Sequence, residues 1–261
     1  MRKIALLDVD MTLVDNQTSE LNENLVNYLK AQGVDEVYLV TGRNISDLWQ
    51  HILQRGARSN DHWKKQLLPN IVQWLKESGL AVTAVSTPYD HYLAKEAGKS
   101  KFKIEKAGDA AALFYLSFED EIGKHDYKEI NAELLCHIFD ELTGKRVYVE
   151  EPGGFPSALL RDALVMYLAL TDDVEKVGQL SFLLKRIEMN AKEPVELLFF
   201  DDKPENLKAA ENVFQSYAEK AGNLIHSYRT ILVDKAKGFL DEAEAAPILE
   251  AKQNQLSTPS P

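Results

Sequence analysis

The chain has 261 residues, 45% of them hydrophobic and 27% charged, with 30 basic against 41 acidic side chains for a formal net charge of -11. That balance fits an ordinary globular chain, either one large domain or a core carrying an insert, and excludes a mainly disordered or fibrous one. An acidic chain with no basic stripe argues against a nucleic-acid groove, and no apolar run approaches the ~20 residues of a membrane-spanning helix. A single cysteine allows no intramolecular disulfide and points to a cytoplasmic, reducing setting. The apolar stretch at the start meets Asp8 too soon for a signal peptide.

Residues 4–9 are an apolar run broken only by Asp8, the mark of a strand buried on both faces. Ser19 is placed to cap a helix starting at Glu20, whose Leu21, Leu25, Val26 and Leu29 share one face and which Gly33 ends. A second strand over 36–40 closes in Thr41-Gly42-Arg43, completing a right-handed βαβ unit. A helix over 46–55, another opened by Pro69, and a strand over 80–85 continue the pattern. From 88 to 155 the alternation is lost. That stretch holds an apolar patch at 110–116, an acidic segment at 118–126, a helix around 130–142, a short strand at 146–149 and a Pro/Gly-rich loop at 151–156. The rhythm returns with a helix over 174–189, a buried strand over 195–200, a helix over 204–221 and a last strand over 230–233. The expected fold is α/β: a Rossmann-like parallel sheet with an inserted, mainly helical cap or subdomain. Residues 1–87 and 156–240 form the core, 88–155 the insert, and 241–261 a flexible tail.

Ligands of open parallel sheets collect at the carboxyl ends of the strands. Three of the expected strands end there in reactive residues: Asp8 and Asp10, then Thr41, then Asp201 and Asp202. Asp8 and Asp10 are two apart and leave an extended strand on one face. Carboxylates that close repel unless a cation neutralises them, and a third one makes an oxygen nest suited to Mg²⁺. A lone strand-end aspartate is usually a turn former or helix cap. That bland reading fits poorly when an Asp-x-Asp-x-Thr run and a second acidic pair end two separate strands.

Asp8-Val9-Asp10-Met11-Thr12-Leu13-Val14, Leu39-Val40-Thr41-Gly42-Arg43 and Leu198-Phe199-Phe200-Asp201-Asp202-Lys203-Pro204-Glu205-Asn206 together resemble the haloacid dehalogenase superfamily of phosphohydrolases. The resemblance covers the core and does not illuminate the insert. It implies that Asp8 attacks the phosphoryl group to form an aspartyl-phosphate, while Asp10 protonates the leaving oxygen and later deprotonates water. It implies a phosphate site of Thr41, Gly42 and a lysine. Lys176, at the start of the helix before the last motif, fits that place better than Lys185 or Lys192. Mg²⁺ would be held by Asp8, the backbone carbonyl of Asp10 and Asp202, with Asp201 and Asn206 behind them or as further ligands. Arg43 would be a substrate contact. Two positions depart from the pattern: Met11 stands where many members have glycine, and Asn206 where a second acid is common.

Other signals have simpler readings. Cys136 lacks the arginine that a cysteine-dependent phosphate loop requires and reads as a buried helix residue. The six histidines show no zinc-ligand spacing. Gly153-Gly154 opens no helix and suits a loop or hinge, Trp49, Trp63 and Trp74 suit core packing, and Glu119-Asp120-Glu121 suits a solvated face. The expected function is Mg²⁺-dependent hydrolysis of a phosphomonoester, on a phosphorylated small molecule or a phosphoprotein, with no nucleic-acid partner and no membrane span. The short gap between Asp8 and Thr41 leaves no room for a large cap, so substrate choice is expected to lie in 88–155. Two alternatives are a non-catalytic interaction or effector protein on the same scaffold, and a phosphotransferase using an acceptor other than water. The Glu-rich, then Ser/Pro-rich tail is also compatible with delivery into a host cell.

Overall fold

The computed structural model describes residues 1–43, 59–88, 104–144, 176–219 and 224–234. The helix expected over 46–55, the strand over 146–149, the loop over 151–156 and the tail over 241–261 lie outside those residues, as do Trp49, His51 and His91.

Among the described residues the chain builds one all-parallel sheet from β1 (Arg2–Leu7), β2 (Glu36–Val40), β3 (Val82–Ser86), β4 (Val195–Asp201) and β5 (Ile225–Leu232), in the order β3-β2-β1-β4-β5. The helices are α1 (Glu23–Ala31), α2 (Asn60–Gln66), α3 (Leu68–Glu77), α4 (Ile104–Gly123), α5 (Ala132–Gly144), α6 (Lys176–Asn190) and α7 (Pro204–Ala218). The expected α/β architecture with a Rossmann-like parallel sheet is what forms. None of these helices is long and apolar enough to cross a membrane.

Strand side chains alternate between faces, and this alternation splits the core in two. Ala5, Leu7, Val37, Leu39, Leu198 and Phe200 pack with α1, α3, α4 and α5. Ile4, Leu6, Tyr38, Val40, Leu197 and Phe199 pack on the other side with α6 and α7. Central strands buried on both faces need no polar alternation, which is why residues 4–7 of β1 and 197–200 of β4 read as apolar runs. Within the segment expected to be an insert, the apolar patch and the acidic segment join in one helix. Phe114, Tyr115, Phe118 and Ile122 of α4 are fully buried in the first of these clusters, together with Leu135, Ile138 and Leu142 of α5.

Several boundaries differ from the sequence expectation. Helix α1 starts at Glu23, not at Glu20, because Asn22 caps it: its side chain accepts from the Leu25 N–H at 3.0 Å. Ser19 instead takes a left-handed backbone, φ 58°, and its hydroxyl donates to the His62 carbonyl at 2.8 Å. Helix α2 was not anticipated; Ser59 caps it, and it buries Trp63. Strand β5 is longer than the four residues expected, and most of it is only partly buried, so its apolar signal is diluted.

Candidate functional site

In this strand order the chain reverses direction across the sheet between β1 and β4, and a crevice opens beyond the strand ends at such a point. The register fixes what lies there. Leu7 pairs with Phe200 on one side and Leu39 on the other, and the Asp8 N–H donates to the Phe200 carbonyl at 2.9 Å. Asp8, Asp201 and Thr41 therefore emerge at nearly one level. Continuing the alternation of Leu6 and Phe199, Asp8 and Asp201 belong to the face covered by α6.

Helix α6 begins there with Lys176, only 9% exposed. Its ammonium is hydrogen-bonded to Asp8 Oδ1, donates to the Val40 carbonyl at 2.6 Å and lies 3.4 Å from Asp201 Oδ2. Lys185 and Lys192 are exposed, so Lys176 alone of the three candidates reaches the strand ends. Thr12 adds a long hydroxyl contact of 3.4 Å to Asp8 Oδ2. Asp201 is fully buried: its Oδ1 accepts from the Lys203 N–H at 3.0 Å and from Asn206 Nδ2 at 2.9 Å, while Oδ2 has no hydrogen-bond partner. Asn206 thus orients an aspartate rather than standing apart. Asp8, Asp201 and the half-buried Asp202 each bring a carboxylate oxygen within 4.8 Å of the others, the metal-capable cluster among the described residues. Both members of the acidic pair share in it.

Charge and burial oppose each other here. Burial pushes the Asp8 carboxyl up to about 7, against the pull of Lys176 and with the help of the Asp201 charge. Burial alone would lower Lys176, but the carboxylates of Asp8 and Asp201 outweigh it and hold the ammonium above its ordinary value. Asp202 is raised by burial and by the Asp201 charge. Three carboxylates facing one ammonium leave negative charge that a hard cation with oxygen ligands would neutralise.

Asp10 lies apart from this trio. Its carboxylate is gripped by Arg43, whose Nε lies 3.0 and 2.9 Å from the two oxygens and whose Nη2 lies 2.7 Å from Oδ1. Arg43 Nη1 also donates to the Gln66 carbonyl. Burial would raise Asp10, yet the guanidinium more than offsets it and holds the carboxyl below its usual range. Arg43, expected as a substrate contact, is engaged here in an internal pair with Asp10. Thr41 is buried, and its Oγ1 accepts from the Arg43 N–H at 3.1 Å. Gly42 is exposed, and among the described residues a Cβ there would meet nothing within 4 Å.

Two side chains around the site were missed by the sequence reading. Glu119 was expected on a solvated face, but it is 1% exposed and accepts from the Leu68 N–H at the start of α3. Burial raises its carboxyl, against the nearby Arg43 charge. Gln179, fully buried on α6, donates to the Thr41 carbonyl at 2.8 Å. Its position three residues after Lys176, on the same helix face, is the one pattern that could have marked it. No family model, curated protein or solved structure matches the chain.

Proposed function

We propose that this chain is a Mg²⁺-dependent phosphomonoester hydrolase of the haloacid dehalogenase type. The observation that carries the reading is the meeting of Asp8, Lys176, Asp201 and Asp202 at the point where the strand order reverses, with Thr41 beside them. The residues fit a resident cation: the carboxylates of Asp8, Asp201 and Asp202 converge, and against the three stands the one ammonium of Lys176, which lies 3.4 Å from the buried Asp201 Oδ2. Asp8, the Asp10 backbone carbonyl and Asp202 would hold Mg²⁺, with Asp201 Oδ2 close by. Bound there, the ion would neutralise charge on the transferring phosphoryl group.

The protein's own groups then have distinct tasks. Lys176 pulls against the burial that raises Asp8 and so favours its ionised form, in which a carboxylate oxygen can attack phosphorus. The P–O bond to the leaving group breaks as the leaving-group oxygen takes a proton. Asp10 supplies the proton and later removes one from the water that frees inorganic phosphate. Its pairing with Arg43 favours the ionised, proton-accepting form; donation to the leaving group needs the protonated form, with that pairing opened. The Thr41 hydroxyl and the Gly42 N–H bind phosphoryl oxygens. Substrates of this site are phosphorylated small molecules or phosphoproteins.

The test is phosphate release from a generic aryl phosphate without any added acceptor. Activity abolished by EDTA and restored by Mg²⁺ is the expected result. Turnover that survives complete metal removal contradicts the metal assignment. Transfer seen only when an alcohol acceptor is supplied would make the chain a phosphotransferase instead.

A further inference from the structure

Lys176 and Gln179 lie one turn apart on α6, and each holds a carbonyl at the end of β2: Lys176 that of Val40 at 2.6 Å, Gln179 that of Thr41 at 2.8 Å. The next turns of the helix, through Leu180, Leu183 and Leu184, pack in the same cluster as Tyr38 and Val40. On its other side the Thr41 N–H donates to the Ser86 carbonyl of β3 at 3.0 Å. The peptide groups around Thr41 are thus pinned by β3 through the N–H and by Gln179 through the C=O, just before Gly42.

Packing does not explain why this residue is glutamine. Its side chain is fully buried, and Oε1 has no hydrogen-bond partner. A buried acceptor left unpaired is costly, and methionine fills a similar volume without that cost. What glutamine alone adds is the Nε2 donor to Thr41. We infer that Gln179 is a positioning residue that holds the turn at residues 41–43 in the geometry that presents the Thr41 hydroxyl and Gly42 N–H to an anionic phosphoryl group. The inference rests on the reading of Thr41 as a phosphoryl ligand.

Steady-state kinetics of the full chain on an aryl phosphate, for Gln179→Met, Thr41→Val and the double variant, test it. Loss of an oriented hydrogen bond to an anion should raise KM about tenfold in Gln179→Met, with kcat changed by less than about threefold. The Mg²⁺ activation curve should not move, because no proposed metal ligand touches Gln179. In the Thr41→Val background the Gln179 substitution should have a smaller effect than in wild type, since the part that passes through the hydroxyl is already gone and only the Gly42 N–H is left to misplace. Wild-type KM in Gln179→Met, or full additivity with Thr41→Val, overturns the inference while leaving the phosphatase reading intact. If Gln179→Met fails to fold, Gln179→Asn, which keeps the amide but falls short of Thr41, carries the same expectations. A wild-type chain that releases no phosphate overturns the reading and, with it, the inference.

Discussion

Met11 sits at φ 61°, in a tight turn where its N–H donates to the Val14 carbonyl at 2.8 Å. That backbone region suits glycine and costs a side-chain-bearing residue roughly 1–2 kcal/mol. Met11→Gly should relieve the strain, against the loss of ~0.4–1 kcal/mol from a freer unfolded chain. The net expectation is a gain of up to about 1 kcal/mol, read from the midpoint of urea unfolding, whereas Met11→Val, β-branched at a left-handed position, should lose stability. A clear loss in the glycine variant would mean that Met11 packing outweighs the strain. Glu119 offers a second test, of pH dependence. Burial raises its folded pKa above the ordinary glutamate value, so between the ordinary and the raised value the folded chain binds more protons than the unfolded one. Its stabilising contribution is therefore complete below that window and is lost as pH rises through it. Glu119→Gln keeps an acceptor for the Leu68 N–H and never ionises. Its stability relative to wild type should climb as pH rises from about 4.5 towards neutrality. A pH-independent difference would show that Glu119 is not the buried titrating group.

At the scale of elements, Asn22 ties the first motif to the helix behind it. Its Oδ1 caps α1 through the Leu25 N–H, and its Nδ2 donates to the Thr12 carbonyl at 2.9 Å, next to the turn that follows Asp8. Asn22→Ala should cost about 1–3 kcal/mol by losing the cap and leaving the Thr12 carbonyl without that donor. Asn22→Asp keeps the cap and loses only the donor, so chemical denaturation should place it between wild type and Asn22→Ala; stability equal to wild type would remove the second role, and stability equal to Asn22→Ala would remove the cap. The same residue shows where sequence reading stops. Ser19 and Asn22 are both capping types within four positions, and only the docking of Ser19 on the His62 carbonyl decides between them. Strands β1, β2 and β4 were legible because burial on both faces leaves four consecutive apolar residues in each, at 4–7, 37–40 and 197–200. Strand β5 was half legible because partial exposure mixes polar residues into it. The burial of Glu119 was not legible at all, since its partner, the Leu68 N–H, is distant in sequence and a helix-borne acid next to two others looks solvated.

At the scale of the whole molecule, the sheet order places three strand ends at one level, and the site follows from that alignment. Asp8, Thr41, Lys176, Asp201 and Asp202 were readable because each stands at the end of a strand or the start of a helix, where the topology gathers them. The commitments between them were not readable: Arg43 spends its fork on Asp10, and Gln179 holds Thr41, both through contacts set by tertiary packing alone. The central claim is that Asp8 is the nucleophile of this gathered site. The most direct measurement is an acid quench of the protein during turnover of a radiolabelled phosphoester, with the label mapped by proteolysis. Label on the peptide carrying Asp8 in wild type, and no label in Asp8→Asn with turnover lower by about 10³ or more, is the expected result. Full turnover in Asp8→Asn, or label on a peptide without Asp8, would contradict it.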